Sequence, residues 1–215
     1  MFDELDVRII NLRHRSDRRL ECLKEFESLQ LDFQDDSVFF PAKHLPSLGA
    51  RGCSLSHAMA LSEFLFNSTK PYVMILEDDF SAREPAVFRE SLNQILKFSN
   101  FWDVYLLGHN QAIPVSATQV PQVVKVINSQ TTSGYIVGRL YACKLIEIFY
   151  RSAELLGMYD SLPTPNKELT RHSICCDMLW KELQIKDRFW AKLPSDIFQR
   201  ESHSDIENRL VNYKV

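Results

Sequence analysis

The nine residues YVMILEDDF, Tyr72 to Phe80, set five largely apolar residues directly against three consecutive carboxylates. A run of that length and composition reads as a buried strand, and like charges at its end repel one another and resist burial. Such a chain must therefore fold so that the strand's carboxyl end opens onto water, a cation or a reaction. Neighbouring segments support a layered arrangement. VRIINL (Val7 to Leu12) reads as a strand, followed by Ser16 and Asp17 as N-cap candidates and a helix carrying Leu20, Leu23, Phe26 and Leu29 near one face. SVFF (Ser37 to Phe40) reads as a second strand, and Gly52 to Phe66 as a helix burying Leu55, Met59 and Phe66.

Beyond the acidic run, Pro85 opens an amphipathic helix through Phe88, Leu92, Ile95 and Leu96. DVYLLG (Asp103 to Gly108), QVVKVI (Gln122 to Ile127) and GYIVG (Gly134 to Gly138) read as strands, the last two on either side of a polar turn. Leu140 to Leu156 is an apolar helix, Tyr159 to His172 a proline-bearing loop, and Ser173 to Leu183 a further helix. The tail from Pro194 is polar and aperiodic, with a weak helical hint after Asp205. Alternating strands and helices predict an α/β fold with a mostly parallel central sheet flanked by helices, built as one domain over 1–215. Such sheets bind ligands beyond the carboxyl ends of their strands, where both the triple acid and the basic loop Arg13-His14-Arg15 fall.

Composition narrows the partners. With 28 acidic and 25 basic residues the net charge is -3, which gives no general attraction to nucleic acid and at most peripheral contact with an anionic membrane. The acidic start MFDELDV is unlike a signal peptide, no apolar stretch is long enough to span a bilayer, and five widely spaced cysteines suit reduced thiols. The expectation is a cytoplasmic protein, in which the glycosylation triplet Asn67-Ser68-Thr69 has no meaning. Cys53, Cys175 and Cys176 read as small hydrophobes, and Trp102, Trp180 and Trp190 as core or, for one of them, a sugar platform.

Three ordered blocks, INLRHRSDR (Ile10 to Arg18), GCSLSH (Gly52 to His57) and ILEDD (Ile75 to Asp79), resemble glycosyltransferase family 25. SGYIVGRLYACKLI (Ser133 to Ile146), CDMLW around Asp177 and PSDIFQRESHSDI (Pro194 to Ile206) resemble its later blocks, so the likeness covers nearly the whole chain. The family includes bacterial lipooligosaccharide galactosyltransferases, collagen galactosyltransferases and viral relatives. The resemblance implies a GT-A-like nucleotide-sugar-binding fold, a divalent metal and inversion at the transferred sugar.

Residue chemistry can be set beside that implication. Mn²⁺ or Mg²⁺ takes one or two carboxylates plus phosphate and water oxygens, and alternate residues of a strand point the same way. Asp79 is the first candidate ligand and Glu77 the second, with Asp78 facing a ribose or the core. Asn11 and Leu12 could lie against a nucleotide base, with Arg15 and Arg18 either near its diphosphate or on a solvated helix face; Arg13 and Arg19 are left to solvent. His57 and Ser56 could bond the donor, order the acidic loop or serve only the helix. Asp177 is the candidate general base, its ionised form favoured by a helix start, against a structural role there or a pair with Lys181; Glu201 and Asp205 are reserves.

The function these readings support is transfer of a hexose from a UDP-sugar to a glycan or glycolipid acceptor hydroxyl. Two rivals differ in class. A phosphohydrolase usually shows D-x-D followed by threonine, where this chain has E-D-D-F-S. A silent nucleotide-sugar or glycan-binding module would have no use for Asp177.

Overall fold

In a computed structural model of the chain, residues 2–31, 36–163, 167–204 and 209–211 are described. In chain order the strands are Leu5–Asn11 (β1), Phe39–Pro41 (β2), Tyr72–Glu77 (β3), Phe80–Ala82 (β4), Val104–Leu106 (β5), Ile113–Ala117 (β6), Val123–Ile127 (β7), Gly134–Gly138 (β8), Phe189–Lys192 (β9), Ile197–Gln199 (β10), Ser202–Ser204 (β11) and Arg209–Val211 (β12). The helices are Ser16–Ser28 (α1), Gly49–Asn67 (α2), Pro85–Lys97 (α3), Arg139–Asp160 (α4), Lys167–Ser173 (α5), Cys176–Leu179 (α6) and Lys181–Lys186 (α7).

Eight strands form one sheet in the order β2-β1-β3-β8-β5-β9-β7-β6. Following the pairings across it, β8 and β7 run against the other six, so the sheet is mixed but predominantly of one direction. β7 and β8, expected on either side of one turn, do not pair: β8 lies between β3 and β5, and β7 between β9 and β6.

The period of two within β3 divides the core. Met74 and Leu76 join Val7, Ile9, Cys22, Phe26, Phe88 and Leu92 on the face covered by α1 and α3. Val73 and Ile75 join Ala58, Leu61, Phe64, Leu145 and Phe149 on the face covered by α2 and α4. Burying each such large apolar side chain stabilises the fold by about 1.5–3 kcal/mol relative to leaving it exposed, so both faces need their helical cover. All three tryptophans are buried core residues.

Several helix faces differ from the sequence expectation. In α2, Met59 is 40% and Phe66 88% exposed, while Ser54, His57, Ala58, Leu61 and Phe64 are buried. The inward stripe is made largely of small residues because α2 must approach both the sheet and α4; Ser54 Oγ and Ser152 Oγ meet at 3.0 Å between the two helices. In α1, Leu20 is 61% exposed and Cys22 takes the inward position; Arg15, not Ser16 or Asp17, is the N-cap residue. The expected loop from Tyr159 to His172 holds the end of α4 and all but the last residue of α5, while its Pro165 and Asn166 lie outside the described residues. The helix expected over Ser173 to Leu183 is split into α6 and α7.

The tail is not aperiodic. β10 pairs antiparallel with β4, with Gln199 opposite Phe80, which brings this part of the tail onto the segment just beyond the acidic run. Asp205 and the residues of the helical hint up to 208 lie outside the described residues, and 209–211 are strand.

Candidate active site

β1 and β3 lie side by side and parallel, with Ile10 opposite Glu77. From β1 the chain moves outward to β2 and then returns across β1 to β3. The carboxyl ends of β1 and β3 thus flank a point where the connections diverge, the crevice in which open α/β sheets bind ligands. A cleft of about 770 Å³, counted to its open mouth, lies there. Its walls include Ile10, Leu12, Ala42 and Leu45 on the apolar side and Arg18, Lys43, Glu77, Asp78 and Asp79 on the charged side. Gly52 shapes this wall: a Cβ there would lie 2.5 Å from Lys43 O, so only glycine lets the 43–45 segment close over α2.

The three carboxylates are linked through shared partners. Asp78 is buried, accepting from Asn11 Nδ2 at 2.7 Å and paired with the Arg18 guanidinium. Asp78 is therefore turned toward the β1–α1 side. Glu77 and Asp79 share one donor: Gln199 Nε2 lies 3.1 Å from Glu77 Oε2 and 3.2 Å from Asp79 Oδ1, and Arg18 Nη1 also stands 3.6 Å from Asp79 Oδ2. Glu77 Oε1 accepts from Thr132 Oγ1 at 2.8 Å and lies 3.2 Å from His57 Nε2. The far ring nitrogen, Nδ1, is 3.1 Å from the Tyr135 hydroxyl.

These contacts set the protonation. Burial, then the neighbouring Glu77 charge, pushes Asp79 up to about 7. Burial acts against ionised Glu77 too, but the bond from His57 and that from Thr132 bring its carboxyl below its ordinary value. Below about pH 7, Glu77 of this facing pair holds the charge and Asp79 the proton. Burial also raises Asp78 in spite of Arg18, and Arg18 stays firmly charged because the fields of Asp78 and Asp79 outweigh its desolvation.

The other sequence candidates divide. Asn11, Leu12, Arg18, Ser56, His57, Glu77, Asp78 and Asp79 gather around this cleft. Arg15 does not; it forks onto Asp17 at 2.9 Å. Ser56 donates to Gly52 O at 2.7 Å and accepts from Lys43 N at 2.8 Å, so its hydroxyl ties the cleft wall to α2. Arg19, expected in solvent, donates to Asn11 Oδ1 at 2.8 Å and stacks 5.0 Å from the Phe39 ring centre.

Asp177 joins the site through a chain of bonds. Thr131 N donates to Asp177 Oδ2 at 3.3 Å, and Thr131 Oγ1 donates to Gln199 Oε1 at 3.3 Å. Burial raises the Asp177 carboxyl, contrary to the expectation that a helix start would favour its ionised form; α6 has only four residues, and desolvation wins. Lys181 donates instead to Asn128 Oδ1 at 3.0 Å. Glu201 is exposed.

Sequence reasoning missed Thr131, Thr132, Tyr135, Gln199 and Arg200, whose backbone N–H donates to Asp79 O at 2.8 Å. The block PSDIFQRESHSDI carried the only signal for the last two, and it marks no residue within the block. All five cysteines are free thiols, and no helix of the described residues is long and apolar enough to cross a membrane.

No protein-family model matches the chain, and no curated protein matches it in sequence. Among solved structures, mannose-1-phosphate geranyltransferase from Thermus thermophilus is similar at TM-score 0.45 and 10% identity, over 86% of this chain, which spans only 58% of that one. A197 from STIV is similar at TM-score 0.45 and 13% identity, over 96% of this chain and 94% of that one. UDP-glucose pyrophosphorylase complexed with UDP-glucose follows at TM-score 0.39 and 12% identity, over 83% of this chain and 69% of that one.

Proposed function

We propose that the chain is a metal-dependent, inverting glycosyltransferase that moves a hexose from a UDP-sugar to an acceptor hydroxyl on a glycan or glycolipid. The observation that carries this reading is the Glu77–Gln199–Asp79 arrangement at the diverging strand ends: two carboxylates share one neutral donor, and the buried one, Asp79, keeps its proton up to about pH 7. That donor set fits Mn²⁺ or Mg²⁺, which take carboxylate oxygens. Asp79 and Glu77 Oε2 would hold the ion, which when bound supplies counter-charge for a departing nucleoside diphosphate.

The chain's own groups account for the rest. Ile10, Leu12, Ala42 and Leu45 offer an apolar wall for a base, and Asn11 and Arg18 fix Asp78 beside it. Asp177, raised by burial, suits a carboxylate that takes the acceptor's hydroxyl proton as the new bond forms. Thr131 and Gln199 fix it relative to the acidic pair. The motif resemblance to glycosyltransferase family 25 points to the same reaction, and a cytoplasmic supply of nucleotide sugars, with the acceptor at the membrane face, completes the reading.

Thermal unfolding in a panel of UDP-hexoses, each with and without Mn²⁺, tests this. A ligand that binds the native state raises the melting temperature, so at least one UDP-hexose should raise it only when the ion is present. Stabilisation by none of them, or release of inorganic phosphate from sugar phosphates, would replace the proposal with a different class.

A further inference from the structure

Glu77 has two oxygens with different surroundings. Oε2 faces Gln199 beside Asp79, whereas Oε1 faces His57 and Thr132. On the Oε1 side, Cys53, His57 and Glu77 each present one ligand atom, and these atoms lie within 4.8 Å of one another. Cys53 and His57 are four residues apart in α2, so the helix itself sets them on one face. All three residues line the same cleft.

The spacing and the supporting bonds suit coordination. Two ligands about 2.0–2.2 Å from one tetrahedral ion stand about 3.3 Å apart, and His57 Nε2 and Glu77 Oε1 stand 3.2 Å apart. Metal-bound histidines ordinarily have their other ring nitrogen held by a neighbour, and the Tyr135 hydroxyl lies 3.1 Å from Nδ1. The ligating carboxylate is likewise held, by Thr132 Oγ1 at 2.8 Å. A thiolate, an imidazole and a carboxylate select zinc-like ions over Mg²⁺, whose preference is for oxygen alone.

We infer that Cys53, His57 and Glu77 form a transition-metal site of the zinc class, separate from the Asp79 side of Glu77 and with its remaining position open to the cleft. On binding, the Cys53 thiol proton passes to solvent, and the ring gives up the Nε2 proton it shares with Glu77 and carries its one proton on Nδ1 toward Tyr135, which frees the Nε2 lone pair for the ion. The inference does not depend on sugar transfer, since it rests on ligand atoms alone.

Cobalt titration into reduced, metal-free protein tests it, because a thiolate bound to Co²⁺ gives a near-ultraviolet charge-transfer band. The band should saturate at one equivalent, bleach on adding Zn²⁺, vanish in Cys53→Ser and persist in Asp79→Asn. Circular dichroism confirms that each variant is folded, and Zn²⁺ should raise the melting temperature of the wild type clearly more than that of folded Cys53→Ser. No band with excess Co²⁺, an undiminished band in Cys53→Ser, or its loss in folded Asp79→Asn would each overturn the assignment.

Discussion

Gln199 Nε2 lies 3.2 Å from Asp79 Oδ1, although 120 residues separate the two in sequence. The same nitrogen reaches Glu77, so one amide bridges the two carboxylates, while Arg18 Nη1 stands 3.6 Å from Asp79 Oδ2. Gln199→Ala removes that donor and should destabilise the metal-free protein by about 1–3 kcal/mol, the cost of leaving a buried acceptor unmatched. Mn²⁺ should restore part of the loss. Calorimetric melting with chelator and with Mn²⁺ checks both statements.

Asp79 also makes metal-free stability depend on pH. Its folded carboxyl titrates at about 7, against about 3.9 for an ordinary aspartate, so the folded state holds an extra proton in between. This contribution is fully present below about pH 4 and is lost as pH rises toward 7. In chelator, urea unfolding should show Asp79→Asn gaining stability relative to wild type as pH rises from about 4 to about 7. A pH-independent difference between the two proteins would show that Asp79 titrates normally.

The Arg18–Asp78 pair is buried on both sides, with side chains 10% and 8% exposed. Removing one partner strands the other charge. Arg18→Met should cost about 3–5 kcal/mol in denaturant unfolding, and adding Asp78→Asn should recover part of it. If the two substitutions simply add, the residues are not acting as a pair.

Asp177→Asn tests the proposed proton acceptor. The amide keeps an oxygen for Thr131 N, so fold, metal binding and donor binding should persist while transfer falls by about a hundredfold or more. Turnover near wild type at saturating acceptor would return Asp177 to a structural role at the start of α6.

Much of the framework was legible because local pattern and tertiary burial agree. The apolar run before Glu77 became β3, and Pro85 opened α3, whose Phe88, Leu92, Ile95 and Leu96 are all buried. In α2 the sequence favoured large residues, whereas close packing against α4 chose small ones, so Met59 and Phe66 face outward. The grouping of Asn11, Arg18, His57 and the acids followed from strand ends meeting at one edge. Gln199 was invisible because its strand is three residues long and exists only by pairing with β4, a contact no local period encodes. Arg19 looked like solvent because its partner, Asn11, lies across the strand–helix turn.

In the proposed reaction, Asp79 and Glu77 hold the ion through which a UDP-sugar binds. Isothermal titration of a UDP-hexose into wild type and Asp79→Asn, each with Mn²⁺ and with chelator, tests it most directly. Binding should appear for wild type in Mn²⁺ alone and be absent for the folded variant. Equal affinity in the variant, or equal affinity in chelator, would contradict it.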